Sequence, residues 1–104
     1  MSEMTEYQIT YWNEIPAMVT ARAGRRDRAK VELSARFGVA IDELAMRLGM
    51  TGTDGYLAAW HRSGWEHRAG TPAEVAALVA AELEAAYPPD RIREILDAAR
   101  DQNN

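Results

Sequence analysis

The sequence has 104 residues, of which 47% are hydrophobic and 27% are charged, and its formal net charge is −4 at pH 7. This length and composition are typical of one folded domain with a single core and exclude an intrinsically disordered chain. The absence of cysteine excludes disulfide bonds, thiolate metal sites and cysteine nucleophiles.

The sequence predicts neither an export signal nor a membrane-spanning segment. Residues 1–10 lack a basic segment followed by an apolar one, and no apolar run approaches the ~20 residues that a membrane span needs. We therefore expect a cytoplasmic protein.

The first third of the chain predicts three strands. Thr5–Trp12 alternates aromatic and aliphatic residues with polar ones at a period of two, as a half-buried strand does. Pro16 interrupts this pattern, because proline lacks a ladder donor, and a second strand is expected over 17–23. A polar turn at 24–27 leads to a third strand over 29–33, which completes a hairpin.

Helical patterns follow. At Ser34 the hydrophobic period changes from two to 3.6, which predicts a helix over 34–48. A capping box that begins at Thr71, with proline at the first helical position, predicts a second helix over 72–86. After Pro88-Pro89 a narrow apolar stripe predicts a last helix within 88–100, which must dock on the domain or fray.

The segment between the first two helices leaves alternatives open. Residues 56–60 suit either a further helical turn or the beginning of a strand. Residues 59–68 are aromatic and polar, and they suit either one strand or a hairpin that turns at Ser63-Gly64.

These elements predict one α+β domain over residues 1–104. Their order is β-β-β-α-β-α-α, with a single layer of mainly antiparallel strands packed against two or three helices. The helices are expected to cover one face of the sheet.

The two histidines do not predict a catalytic or metal site. On one continuous strand His61 and His67 would lie roughly 20 Å apart at ~3.3 Å per residue, and in a hairpin they would lie on opposite faces. The serines and threonines suit helix caps and turns, and no glycine-rich phosphate loop is present. The sequence therefore predicts no catalytic residue, no metal and no cofactor.

The first candidate site is a basic cluster on the predicted hairpin. Such a cluster is able to bind the phosphates of a nucleotide cofactor, a phosphorylated partner or a nucleic acid, although a solvated hairpin is the simpler explanation. The acidic balance of the chain and the lack of a basic helical face argue against nucleic acid. The candidate anion-binding residues are Arg22, Arg25, Arg26 and Arg28.

The second candidate site is aromatic. Three tryptophans are too many for the interior of so small a domain, because each is large and its indole N–H needs a partner. Tryptophan and arginine together are typical of the residues that dominate binding at protein interfaces. The candidate partner-binding residues are Trp60, Arg62, Trp65 and Arg68.

The order of several motifs resembles a small bacterial family, the virulence factor domain. These motifs are YWNEIP at 11–16, the basic turn, AMRLGMTGTD at 45–54, and Trp60. The resemblance spans roughly residues 5–87 and leaves residues 88–104 outside it. It implies no catalytic residues. It implies an accessory subunit of a larger system, of the kind associated with folate- and corrinoid-dependent one-carbon metabolism, although this chain has no corrinoid-ligating motif.

The sequence therefore favours a non-catalytic protein-interaction module or accessory subunit whose partner is a larger cytoplasmic enzyme. The alternative is a small protein or enzyme that binds an anion or a nucleotide cofactor through the arginine-rich hairpin with His61 and His67. Neither the partner nor the oligomeric state is fixed by the sequence.

Overall fold

A computed structural model describes residues 4–50 and 52–102 and confirms the α+β class and the predicted order of elements. In this part of the chain, a five-stranded antiparallel sheet packs with four helices. The sheet order is β3-β2-β1, and two short strands share the other edge of β1. The elements are β1 (Met4–Trp12), β2 (Ile15–Ala23), β3 (Asp27–Glu32), α1 (Ala35–Arg47), α2 (Thr53–Ala58), β4 (Trp60–Arg62), β5 (Glu66–Ala69), α3 (Pro72–Ala86) and α4 (Pro89–Gln102).

Strand β2 begins earlier than the sequence predicted. Ile15 and Pro16 belong to the strand and pair with Trp12 and Tyr11, and the register shifts by one residue next to this pair. Such a β-bulge accommodates proline in a strand because the ladder is already irregular there. The preceding turn needs a left-handed residue, and Asn13 supplies it with φ of 54°.

Strands β4 and β5 are two pieces of one broken strand. Both run antiparallel to β1, but residues 63–65 lie opposite residues 8–9, so one extra residue is inserted between the pieces. Ser63 fixes the break, because its N–H donates to the Ile9 carbonyl at 2.9 Å and its Oγ accepts from the Ile9 N–H at 2.9 Å. Residues 59–68 are therefore neither one continuous strand nor a hairpin. Helix α2 precedes them, and Thr51 lies outside the described residues.

Helix α3 covers one face of the sheet. Its buried residues Val75, Ala76, Val79 and Ala80 pack with Tyr7, Val19 and Ala21 of the strands. The predicted capping box is confirmed. The Thr71 Oγ1 accepts from the Glu74 N–H at 3.2 Å, and the Glu74 carboxylate accepts from the Thr71 N–H at 3.1 Å.

The other helices gather at one end of the sheet. Trp12 is fully buried there, and its indole N–H donates to the Tyr56 carbonyl at 2.9 Å. Helix α4 docks on α1, since its Ile92 and Ala99 belong to the same core as Phe37 of α1. Among the described residues, no helix combines the length and the apolar character that crossing a membrane requires. Over most of its length, the second face of the sheet stays uncovered by the described helices.

Candidate binding site

The uncovered face of the sheet carries the even-numbered side chains of β1, β2 and β3. Because side chains alternate along a strand and strands lie ~4.8 Å apart, residues paired in register form rows across this face. One row contains Glu6, Arg22 and Arg28, the next contains Gln8, Thr20 and Lys30, and the third contains Arg62, Thr10, Met18 and Glu32.

Four cationic side chains converge on a groove in this face, which we call the cationic groove. It has a volume of about 320 Å³. Trp65 lines one side of it, and the other polar and apolar walls come from the central strands. The lining residues are Gln8, Thr10, Met18, Thr20, Arg22, Arg28, Lys30, Arg62 and Trp65.

Arg22 and Trp65 form an ordered pair in the groove. The Arg22 guanidinium lies 3.8 Å from the centre of the Trp65 ring, and its Nη2 lies 3.2 Å from Oε2 of Glu6. Trp65 reaches this position because it belongs to the break between β4 and β5, which Gln8 also supports by donating to the Ser63 carbonyl at 3.1 Å. The break in the strand therefore serves to place an aromatic wall beside the cations.

The other three cations of the groove form no ion pair with any described residue. In the described part of the chain, no carboxylate lies within 4.0 Å of Arg28, Lys30 or Arg62. Arg28 lies directly opposite Arg22 in the ladder, and like charges in that position are destabilising. An anionic ligand would relieve this repulsion.

A second cavity adjoins the groove at the α1 end of the sheet, and we call it the apolar pocket. Its volume is about 460 Å³. Aromatic and aliphatic side chains form most of its walls, including Phe37, Ile41, Tyr56 and Trp60. Trp60 is 36% exposed and packs edge-on against Tyr56, with 6.1 Å between the ring centres.

The predicted partner-binding residues are divided between the two faces. Trp60, Arg62 and Trp65 line the cavities of the open face. Arg68 lies on the face that α3 covers, where it donates to both carboxylate oxygens of Glu82 at 2.9 and 3.1 Å. These hydrogen bonds raise the pKa of the Arg68 guanidinium above its ordinary value. Arg68 is thus separated from the other three candidates.

The predicted anion-binding residues are divided in a similar way. Arg22 and Arg28 line the cationic groove. Arg25 and Arg26 are exposed in the turn between β2 and β3, and they are not among the groove residues. The structure thus joins half of this cluster with Arg62 and Trp65, which the sequence had assigned to a different site.

The two histidines do not share a site. His61 stacks on Tyr11 with 5.3 Å between ring centres, and its Nε2 lies 2.8 Å from the Asn13 carbonyl oxygen. His67 pairs with Glu6, five residues from Tyr11 along β1, so the two histidines lie roughly 17 Å apart. Among the residues that the structure describes, no three His, Asp or Glu side chains are grouped to hold a metal ion.

Sequence reasoning missed Lys30 and the apolar pocket. The signal for Lys30 was present, because Arg22, Arg28 and Lys30 are all even-numbered residues of one predicted hairpin and therefore share a face. The apolar pocket carries no such signal, since it forms where α1 meets the end of the sheet.

The fold and the groove together define an α+β domain with an open, cationic sheet face. Among known families, the model described as virulence factor matches residues 10–96. The chain therefore belongs to the virulence factor family. The match extends past residue 87 and includes the first half of α4. Comparison with curated proteins and with solved structures found no match.

Proposed function

We propose that this protein is a non-catalytic interaction module, an accessory subunit that binds an anionic region of a larger protein through the cationic groove. The observation that carries this proposal is the placement of Arg28, Lys30 and Arg62, without carboxylate partners among the described residues, beside the ordered pair of Arg22 and Trp65. Tryptophan and arginine in one site are typical of the residues that dominate interface energetics.

The electrostatics support recognition of an acidic surface. The chain as a whole is acidic, with a net charge of −4, whereas the groove gathers four cations. Such a local field speeds the encounter with a complementary partner and opposes encounters with basic ones. Binding through this groove is therefore expected to weaken as ionic strength rises.

Three side chains of types used in catalysis are engaged in structural contacts. The Ser63 Oγ accepts a hydrogen bond from the Ile9 N–H, and the Ser34 Oγ donates to Glu84 at 2.9 Å. His61 is held between Tyr11 and the Asn13 carbonyl. These contacts support a role in binding.

The accessory role and its setting are proposals that rest on the family resemblance. We place the protein in the bacterial cytoplasm, with a larger enzyme as its partner, and folate- and corrinoid-dependent one-carbon metabolism is the setting that the family resemblance implies. The groove supports the binding function, and the family resemblance supports the setting.

A second candidate function is binding of a small anion or a nucleotide cofactor. The stack of Arg22 on Trp65, next to Arg28, favours it, because an aromatic ring beside guanidinium groups suits a base and its phosphates. A nucleotide that binds only the folded state stabilises it by RT ln(1 + L/Kd), where L is the free nucleotide concentration, so Tm rises with that concentration. A screen of phosphates and nucleotides by thermal shift tests this function, and a flat response at millimolar concentration counts against it.

The first experiment for the interaction module is affinity capture with matched variants. Wild-type protein, Arg28→Gln/Arg62→Gln and Arg25→Gln/Arg26→Gln are immobilised and exposed to native cell extract at low salt. Each double variant loses two positive charges, but only the first pair lines the groove. We expect one partner to be retained by the wild type and by the turn variant and to be lost from the groove variant.

The matched pair separates specific binding from nonspecific attraction. If both variants lose the partner equally, net charge rather than the groove governs binding. If the groove variant keeps the partner, the binding surface lies elsewhere and the proposed function is wrong in its site.

A further inference from the structure

The cationic groove and the apolar pocket lie along one line of adjoining cavities on the open face, which we call the channel. A third cavity of about 430 Å³ lies between them, lined by Thr10, Met18, Trp60, His61 and Arg62. Thr10 and Met18 line all three cavities. Trp60 joins the middle cavity to the apolar pocket, and Arg62 joins it to the cationic groove. The three cavities are therefore neighbours along the open face, and one extended ligand is able to contact all of them.

The two ends of the channel differ in charge. The cationic groove has four basic side chains in its lining and no acidic one, whereas Glu32 and Asp42 lie at the wall of the apolar pocket. A ligand that is anionic along its whole length, such as a nucleic acid strand, would meet these two carboxylates. A ligand with an apolar end and an acidic end would meet favourable surroundings along the whole channel.

The length of the channel fits an extended chain. Met18 lies between the two cavities and Arg22 lies four residues further along β2, a distance of roughly 13 Å at ~3.3 Å per residue. Thr20, paired with Lys30, lies halfway. An extended peptide has the same repeat as the strand beneath it, and it turns every second side chain toward the sheet.

We infer that the channel binds one extended acidic segment of the partner, with an apolar anchor residue in the apolar pocket and acidic residues at alternate positions along the cationic groove. This inference rests on the proposed function and specifies its ligand. The anchor contacts Trp60 and Tyr56, which are already ordered by their own edge-on packing. The acidic side chains pair with Arg62, Lys30 and Arg28, which removes the repulsion between the basic side chains.

Labelled synthetic peptides test the inference with the full chain. In the first peptide, phenylalanine is followed by three glutamates at alternate positions, separated by serines. In the second peptide, serine replaces phenylalanine, and in the third the three glutamates are adjacent. Fluorescence anisotropy at low salt measures the affinity of each for the wild type, for Trp60→Ala, for Arg28→Gln/Arg62→Gln and for the turn variant Arg25→Gln/Arg26→Gln.

We expect the first peptide to bind most tightly and each altered peptide to bind the wild type at least about fivefold more weakly. Trp60→Ala is expected to abolish the advantage of phenylalanine while leaving the glutamate contribution in place. The comparison of peptides on wild-type protein needs no variant, so it stands even if Trp60→Ala is misfolded by circular dichroism.

The outcomes separate the inference from the function beneath it. If all three peptides bind equally and binding depends on Arg28 and Arg62, the groove binds acidic chains but the anchor and the spacing are wrong. If no peptide binds while the capture experiment still retains a partner through Arg28 and Arg62, the inference fails and the proposed function stands. Tighter binding of a single-stranded oligonucleotide of equal charge, lost with Arg28→Gln/Arg62→Gln, would also overturn the inference.

Discussion

The two faces of the sheet differ in how their charged side chains are paired. On the face that α3 covers, Arg68 is bound by both oxygens of Glu82, and the Tyr7 hydroxyl donates to Glu66 at 2.9 Å above an apolar core. On the open face, Arg28 lies opposite Arg22, and it has no carboxylate within 4.0 Å among the described residues. The covered face thus pairs its arginine, whereas on the open face Arg22 is paired with Glu6 and its neighbour Arg28 is left without a carboxylate partner among the described residues.

This difference indicates that one region of the small domain stabilises the fold and the other binds a ligand. The covered face and the helical end supply the free energy of folding mainly through apolar burial. The open face adds little to stability, because its ladder opposes like charges, and it keeps those charges available to a ligand.

The largest difference in stability between the two regions is expected from substitution of two tryptophans. Trp12→Ala should lower the free energy of unfolding by about 3–5 kcal/mol, because it leaves a cavity in the core and removes the donor to the Tyr56 carbonyl. Trp65→Ala should lower it by less than about 1 kcal/mol, since Trp65 is half-buried on the open face. Urea denaturation of both variants measures the difference. Similar losses would mean that the open face is part of the core.

A smaller effect on the free energy of unfolding is expected at the N-terminus of α3, the helix that covers one face of the sheet. Thr71→Ala removes the side chain that accepts from the Glu74 N–H, and loss of such a cap lowers the free energy of unfolding by about 1 kcal/mol. Thr20→Ala on the open face is the matched control, because Thr20 lines the groove and has no capping role. Equal losses for the two threonines would contradict the comparison.

Replacing an arginine is expected to change the free energy of unfolding in opposite directions on the two faces. Arg28→Gln should raise the free energy of unfolding by about 0.2–1 kcal/mol, because it removes a like-charge pair from the ladder. Arg68→Gln should lower it by about 0.5 kcal/mol or less, since its pair with Glu82 is partly exposed and screened by solvent. Denaturation at low salt measures both, and loss of stability in Arg28→Gln would show that this charge already has a stabilising partner.

The smallest effect concerns pH. The hydrogen bond from the Thr71 N–H holds the pKa of Glu74 below its ordinary value of 4.5. A depressed carboxyl pKa stabilises the folded state above the ordinary pKa, and that contribution is lost as the pH falls through the folded-state pKa. The Tm of the wild type should therefore exceed that of Glu74→Gln at pH 7, and the gap should narrow near pH 3. A gap that is independent of pH would contradict this account of the cap.

Much of the fold follows from local patterns in the sequence. The alternation in Thr5–Trp12 and the capping box at Thr71 each identified an element, because a period of two and a reciprocal cap are set by neighbouring residues. The break at residues 63–65 could not be predicted, since it depends on the hydrogen bonds of Ser63 to Ile9, which lies 54 residues away in the chain. Ser-Gly is also a weak turn signal, and it left open one continuous strand or a hairpin, neither of which forms.

The candidate site was predictable only in part, for a related reason. The residue types were found, but Arg22 and Arg28 were grouped with Arg25 and Arg26 by proximity in sequence. Strand register, and not proximity in sequence, determines which arginines share the groove. It directs alternate residues of the hairpin to opposite faces and leaves the turn beyond the groove. Arg68 was misplaced for the same reason, since the inserted residue between β4 and β5 changes which side chains share a face with Arg62.

The central claim is that the open sheet face is the binding surface, and the three tryptophan indole N–H groups test it most directly. Trp60 and Trp65 line the open face, whereas Trp12 is buried at the end of the sheet. In a two-dimensional ¹H–¹⁵N spectrum, titration with the alternating acidic peptide should shift the indole signals of Trp60 and Trp65 more than that of Trp12, which is buried and senses the ligand only through Tyr56. Shifts confined to the β2–β3 turn or to α3, with the Trp60 and Trp65 signals unmoved, would contradict the account.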